Sequence, residues 1–360
     1  MKILSLTCRS YRNLGEVRFE PRSGVNVIWG ENAQGKTNLL EAMWLFTGGH
    51  SFRGAKDSEL VQHEAAGTQL ELGFYSEERE QSASLTIEGG RRHAQLNGID
   101  LRSSNGLVGH FCAVIFSPEH ISLVREGPAN RRNFLDAALC QLKPGYVRLL
   151  NRYQHTLLQR NALLKDIPRH RELADTLPIW DARIVQDGTQ IAAHRKQYLT
   201  RLSTAAAAVY NGLSHGKEQL GLVYLSTADD LAGALREGRE RDIRQGFTGV
   251  GPHRDDMEIL LDGSSARSYG SQGQKRSIVL ALKLAEAAML EETTGEKPVV
   301  LLDDVLSELD SSRQDYLLNH LSDCQVFITC CEPEQAQSLR GGGLYRVENG
   351  CVCPARPNPA

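Results

Sequence analysis

The sequence predicts an α/β fold: a phosphate-binding body of two lobes, split in sequence by an inserted α-helical arm. Three observations predict it. An apolar strand, Val25 to Trp29, runs directly into Gly30-Glu31-Asn32-Ala33-Gln34-Gly35-Lys36-Thr37, and a helical pattern follows. A second apolar run, Val299 to Leu302, ends in Asp303-Asp304 far down the chain. Between the two, the apolar period changes from strand-like to helical and back again.

In chain order, Ile3 to Thr7 alternates as a strand, Val25 to Trp29 is a buried strand, and Leu39 to Phe46 is a helix. Leu70 to Tyr75 and Ser84 to Glu88 read as strands, and Asn97-Gly98 marks a tight hairpin. From Pro144 to Asp166, Tyr146, Leu149, Leu150, Tyr153 and Leu157 recur at helical spacing. After a polar stretch bracketed by Pro168 and Pro178, a second helix carries Ile184, Ile191, Tyr198, Leu202, Ala205 and Val209, close to a seven-residue repeat. Two such helices joined by a short connection predict a short antiparallel coiled-coil hairpin. Strand and helix then return: Met257 to Leu261 with a turn at Asp262-Gly263, a long helix over Gln274 to Glu292, and strands at Val299 to Leu302 and Val326 to Thr329. A closing hairpin is expected around Glu348-Asn349-Gly350. The expected division is 1–120 for the first lobe, 121–245 for the arm and 246–360 for the second lobe.

Composition narrows the function. In 360 residues the hydrophobic share is 41%, enough for a real core, and the net charge is −3, so the chain as a whole is no basic polyanion coat. Charge is uneven: between Gln141 and His215 there are 11 Lys and Arg against 5 Asp and Glu. A basic segment on an acidic body suits contact with a polyanion, although a solvated helical face gives the same pattern. Arg148, Arg152 and Arg160 on the first arm helix, with Arg53 on the body, are the candidate contacts to a polyanion such as DNA. No aromatic stacking platform is evident, so Lys and Arg contacts to phosphate should dominate. The 8 cysteines lack zinc-site spacing and are expected as reduced thiols. No apolar run approaches the roughly 18 residues that span a bilayer. A cytoplasmic protein with no membrane partner is expected.

Gly30 to Thr37 fits the phosphate-binding loop in full. Glycines let backbone N–H groups converge on phosphate oxygens, and the following helix N-terminus adds positive potential. Lys36 is expected to reach the β- and γ-phosphates of ATP, and Thr37 to hold Mg²⁺. Asp303, at the C-terminal end of its strand, is the second Mg²⁺ group, and Asp304 is placed to polarise the attacking water. Ser271-Gln272-Gly273-Gln274 opens the long helix 32 residues before Asp303. Ser271 is a good N-cap type, and the N–H groups around Gly273 make an anion site. Ser307-Glu308-Leu309-Asp310 follows the Asp303 strand.

GxxxxGKT, SQGQ, VVLLDD and SELD in this order resemble the ABC-type ATPases, with SQGQ as a divergent signature. Asn38-Leu39-Leu40-Glu41-Ala42 after the loop resembles the heads of SMC-like repair proteins. Ser51-Phe52-Arg53, Phe116-Ser117-Pro118-Glu119, Arg131-Arg132-Asn133-Phe134-Leu135-Asp136 and Gly251-Pro252-His253-Arg254-Asp255-Asp256 are similar to the RecF family over nearly the whole length.

The resemblance implies an ABC-type P-loop ATPase head of two lobes with a short arm, and an ATP-dependent homodimer. It implies binding to double- and single-stranded DNA at gap junctions, and work with RecR and RecO in loading RecA. Ser271 and Gly273 would then act on the partner's nucleotide, with Asp310 and Thr329 also at the ATP site. The chain departs from the ABC pattern at three points. Asp304 stands where Glu is usual, which implies slow hydrolysis. Thr329-Cys330 stands where the switch His is usual. Ser117-Pro118-Glu119 stands where the Q-loop Gln is usual, and whether Glu119 replaces it is open.

The rival readings fit less well. A transporter subunit places its signature about a hundred residues after the loop, against 234 here between Thr37 and Ser271. A long-armed SMC needs hundreds of heptad residues. An ATP-holding clamp without turnover stays compatible with Asp304. In Gly251 to Asp256, His with two carboxylates hints at a metal, but the spacing is too tight for one ion, and a structural or allosteric loop is expected.

Overall fold

The computed structural model describes residues 1–331 and 342–355. In chain order, β1 (Lys2–Tyr11) and β2 (Leu14–Phe19) form a hairpin, β3 (Val25–Trp29) runs into the glycine loop, and α1 (Lys36–Trp44) leaves it. β4 (Gly67–Ser76), β5 (Arg79–Glu88), β6 (Arg91–Leu96) and β7 (Ile99–Asp100) form a meander, followed by β8 (Ala113–Phe116). Four helices come next: α2 (Ser122–Arg125), α3 (Pro128–Leu142), α4 (Pro144–Asp166) and α5 (Leu177–Ser214). Then β9 (Leu220–Leu225), α6 (Leu231–Gln245), β10 (Asp256–Leu261), β11 (Ser264–Ser265) and α7 (Ala266–Tyr269) lead to α8 (Gln272–Thr294). The chain continues through β12 (Val299–Asp303), α9 (Ser311–His320), β13 (Val326–Cys330), β14 (Gly343–Glu348) and β15 (Cys351–Pro354). No described helix is long and apolar enough to cross a membrane.

The chain divides into two compact units, Met1–Ile121 with Val279–Ala360, and Ser122–Ile278. Among the described residues the first holds two six-stranded sheets, ordered β2-β1-β4-β5-β6-β7 and β15-β14-β3-β13-β12-β8. The first sheet is antiparallel. In the second, β14, β3, β13, β12 and β8 run parallel and only β15 is reversed. Leu39, Leu40, Ala42 and Met43 of α1 share one buried cluster with residues of both sheets, such as Leu6 and Leu72 on one side and Ile28, Leu301 and Phe327 on the other. Burial of this size is the main stabilising term of such a unit. The Asn97-Gly98 turn has φ of 50° and 75°, the paired positive angles of a tight two-residue hairpin.

The second unit contains the helical hairpin. α4 and α5 pack antiparallel, and α5 also packs on α3, α6 and β9. The buried stripe of α5 runs through Ile184, Gly188, Ile191, Arg195, Tyr198 and Leu202, then Ala206 and Tyr210 in place of Ala205 and Val209. That one-residue slip is the drift of a 3.6-residue helix away from a strict heptad. Residues 246–278, expected in the second lobe, belong to this unit. The physical reason is pairing: β10 is flanked by β9 and β11, and Arg131 of α3 makes a bidentate ion pair with Asp256 (2.7 and 2.8 Å).

Candidate nucleotide site

The glycine loop is shaped by contacts that only its residue types permit. Gly30 has φ 155° and a Cβ there would lie 2.3 Å from the Val347 carbonyl oxygen. Gly35 has φ 115°, with Leu14 and Asn13 side chains under 3 Å from any Cβ. Between them Ala33 is left-handed (φ 64°), and its carbonyl accepts from Asn13 (3.0 Å). Gln34 anchors the β14–β15 turn: its side chain accepts from the Asn349 N–H (2.6 Å) and its carbonyl from Gly350 (3.3 Å). No side chain caps α1, so its first N–H groups face the loop as anion donors.

Lys36 is buried, and its ammonium donates to the carbonyls of Gly30 (2.5 Å) and Glu31 (2.8 Å). Cys331 Sγ lies 3.9 Å from that nitrogen and 3.3 Å from Asn32 Oδ1. No sequence motif places Cys331 at this site, since its position depends on β13 lying beside β3. Thr37 Oγ1 donates to Asp303 Oδ1 at 2.8 Å, and Thr329 Oγ1 to the same oxygen at 2.9 Å. Burial raises the Asp303 carboxyl above its ordinary value and neighbouring Asp304 adds to this, against the lowering by the two hydroxyls and by Arg53. The hard oxygens of Thr37 and Asp303 converge within hydrogen-bond reach, a donor set that fits Mg²⁺ shared with phosphate. Asp304 is left-handed (φ 51°), its N–H donates to Thr329 Oγ1 (2.9 Å), and its carboxylate accepts from Ser307 (3.2 Å).

The outer shell of the site was only partly legible. Glu41 of α1 is fully buried and accepts from Tyr11 (2.9 Å), Arg12 (2.5 and 3.0 Å) and Ser51 (2.5 Å). A carboxylate within the apolar run Leu39 to Met43 requires such partners, which is the signal that points to it. Arg53, expected at DNA, donates to Asn38 Oδ1 (2.8 Å) on α1 and lowers the Asp303 pKa, which puts it beside the phosphate loop. Glu119 is exposed. Beside it the Ser117 N–H donates to His120 Nδ1 (3.0 Å), and burial, then Lys283, hold His120 well below its usual range.

In the other unit, Ser271 and Gln274 form a reciprocal capping box at the start of α8. The Gln274 N–H donates to Ser271 Oγ (3.2 Å), and the Ser271 N–H to Gln274 Oε1 (2.6 Å). Ser271 is exposed, and Gly273 is half-buried. Asp310 caps α9 through the Arg313 N–H (3.0 Å), and that hydrogen bond, with the Arg313 charge, lowers its pKa.

Two of the arm arginines need correction. Arg160 is fully buried and cannot meet DNA: it bonds Asp181 (2.8 Å), Asp242 (2.9 Å) and Thr248 (2.8 Å). Arg152 is exposed, but both its bonds go to Asp187 (2.7 and 2.6 Å), which neutralises it locally. Arg148 is exposed on α4. The His253 ring is committed to Tyr153 OH (2.7 Å) and the Thr248 carbonyl (3.0 Å), so Gly251 to Asp256 is a pinned structural loop.

The fold and the site together define an ATPase head of the ABC and SMC type. The family described as RecF/RecN/SMC N terminal domain matches residues 2–352. The chain is 38% identical to the DNA replication and repair protein RecF of Acetivibrio thermocellus, over 97% of this chain and 99% of that one. It is 40% identical to RecF of Heliobacterium modesticaldum, over 97% and 98%. A solved structure described as the recombination mediator protein RecF-ATPrS in the RecFOR pathway superposes with a TM-score of 0.92, at 36% identity and 98% coverage of each chain. An Smc head bound to the C-winged helix domain of ScpA shares the fold at a TM-score of 0.58 and 15% identity. The chain belongs to the RecF family of DNA replication and repair proteins.

Proposed function

We propose that this protein is an ATP-dependent DNA-binding switch of recombinational repair, acting in the RecFOR pathway. The observation that carries the reading is the convergence of Thr37, Asp303 and Thr329 beside the buried Lys36. A relative described as RecF-ATP in the RecFOR pathway, 36% identical over 99% of this chain, supports the choice of nucleotide.

In this reading the N–H groups of Gly30 to Thr37 and the Lys36 ammonium bind the phosphates. Thr37 and Asp303 hold Mg²⁺, which when bound neutralises charge on the β- and γ-phosphates. Thr329 steadies Asp303, and Asp304 orients water. Arg53 adds positive potential beside the loop. A second copy supplies Ser271 and Gly273, with Asp310 close by, so ATP closes a homodimer. That dimer binds double- and single-stranded DNA at gap junctions and works with RecR and RecO. Asp304, shorter than Glu and held by Ser307, supports slow hydrolysis. The same contact supports a second reading, a clamp that holds ATP without turnover, and steady-state phosphate release with and without DNA separates the two.

The test of the main reading is Lys36→Met. Loss of the cation facing the phosphates should weaken binding of a fluorescent ATP analogue several-fold or more and abolish ATP-dependent DNA binding. Wild-type DNA affinity with ATP in this variant would refute the reading.

A further inference from the structure

Gly246 ends α6 in the left-handed conformation (φ 71°), with its N–H closing on the Asp242 carbonyl (2.8 Å). The turn carries Phe247 to the surface, where it is 38% exposed. A large apolar ring on a loop is costly to leave in water unless something covers it. Here Arg254 covers one face, its guanidinium carbon 5.0 Å from the ring centroid.

The loop between these two residues is held rigidly. Thr248 donates through its N–H and hydroxyl to Asn161 (both 2.8 Å). The Arg254 N–H closes a turn on Gly251 (2.8 Å), and His253 is pinned as described above. Phe247 and Arg254 are therefore presented with little ordering entropy still to lose.

Two further cations flank the pair. The Lys165 stem lies beside Gly246, 3.1 Å from where a Cβ would stand, and Lys165 is exposed at the end of α4. Arg132 donates to the Asp255 carbonyl (2.9 Å), next to Arg254. Burial, then the like charge of Arg195, lower the Arg132 pKa, against the raising by Asp256 and Asp136. Three carboxylates beside Arg132 and Arg254 are committed elsewhere. Asp255 accepts from Tyr224 (2.6 Å) and from Thr227 (2.7 and 2.8 Å), Asp256 pairs with Arg131, and Asp136 with Arg195.

We propose that Phe247, Arg254, Arg132 and Lys165 form a binding site for single-stranded DNA, with a base stacked on Phe247 and the flanking phosphates on the three cations. The proposal rests on the DNA-binding reading above and adds to it an aromatic platform that the sequence did not reveal. Phe247 stands alone in the sequence, and only folding brings Arg254 onto its face. One ring and a short cationic track suit one or two nucleotides of a flexible strand, because a paired base cannot leave its stack without cost.

The test uses the full-length protein with ATP and fluorescence anisotropy of labelled oligo-dT and of a blunt duplex of equal length. Phe247→Leu keeps the apolar contact and removes the ring. It should weaken oligo-dT binding about five-fold or more, the range of one lost base stack, and leave duplex binding unchanged. Phe247→Tyr should bind oligo-dT as the wild type does. Arg254→Gln should lower the log–log salt slope on oligo-dT by about 0.7, the value for one phosphate contact on a single strand. Wild-type oligo-dT affinity in Phe247→Leu would overturn the site. So would an equal loss on both DNAs together with a lowered melting temperature, the mark of a purely structural ring. If the wild type binds neither DNA, the DNA-binding reading itself falls.

Discussion

Arg160 should be a stability residue, and replacing it tests the placement of charge in the helical hairpin. Its side chain is fully buried and bridges Asp181, Asp242 and Thr248. Arg160→Met keeps much of the volume and removes the charge. Asp181 retains Arg239 (3.1 Å), but Asp242, 1% exposed, loses its ion pair with Arg160. Breaking a buried pair in this way costs about 3–5 kcal/mol. With a urea slope of about 2–3 kcal/mol/M, the unfolding midpoint should fall by about 1–2 M. Arg160→Met combined with Asp242→Leu should recover part of the loss, because the stranded carboxylate is gone. Circular dichroism in urea measures both variants. The comparison is Arg148→Gln, which changes an exposed residue and should move stability by less than about 0.5 kcal/mol. An unchanged midpoint in Arg160→Met, with a reduced salt slope for DNA binding, would refute this assignment and return Arg160 to the DNA surface.

Two more outcomes are expected. The raised Asp303 pKa means that its carboxylate takes up a proton at a higher pH than a free Asp, near 3.9. The protonated form cannot serve Mg²⁺, so Mg²⁺-dependent ATP affinity should begin to fall above that range as the pH is lowered. Asp303→Asn should bind weakly with no such pH dependence, and calorimetric titration from pH 7 to pH 5 checks both. The same shift makes ionised Asp303 cost stability at neutral pH, a cost removed as the pH falls through the raised value. Ser271→Arg puts a long cation at an exposed helix start, so it should bind ATP almost normally as a monomer yet fail to associate when ATP is added, as read by sedimentation velocity. A dilute Ser271→Arg monomer hydrolysing ATP at the wild-type rate would show that one chain completes its own site.

The parts of the fold written locally were legible in the sequence. Val25 to Trp29 and Pro144 to Asp166 match their elements end to end, because each is bounded by its own breakers: Gly24 and Gly30 for the strand, Pro144 and Pro168 for the helix. The position of Lys36 and Thr37 at the start of α1, directly after the glycine loop, was legible because that loop has a characteristic sequence and backbone shape. Placement across long sequence separations was not. Nothing local says that Arg160 is buried, because its partners Asp181, Asp242 and Thr248 come from three later segments. β9 escaped notice for a similar reason. Leu220 to Leu225 is a mixed run that becomes a strand only by pairing with β10. The boundary near residue 246 failed in the same way, since that pairing keeps β10 with the helices.

Strand register explains how residues 266 positions apart, Thr37 and Asp303, come within 2.8 Å. In the parallel sheet β3 lies next to β13, and β13 next to β12. Thr329 pairs with Ile28 on one side and with Asp303 on the other, and Cys330 pairs with Trp29, the last residue before the loop. The glycine loop, Thr329 and Asp303 therefore leave the sheet at one level, at the C-terminal ends of three adjacent strands, where α/β sheets gather ligands. A one-residue slip of β12 would turn Asp303 to the opposite face of the sheet. β12 is paired on both sides, with β13 and with β8, and its four aliphatic side chains are buried, which holds Asp303 at this level. The apolar strand thus does two jobs. It supplies core, and it fixes the height and the face at which one carboxylate meets the hydroxyl of Thr37. This is why four consecutive buried aliphatics before an aspartate carry chemical meaning in this chain, whereas Asp304, one residue on, is released from the strand into a left-handed turn and can point elsewhere.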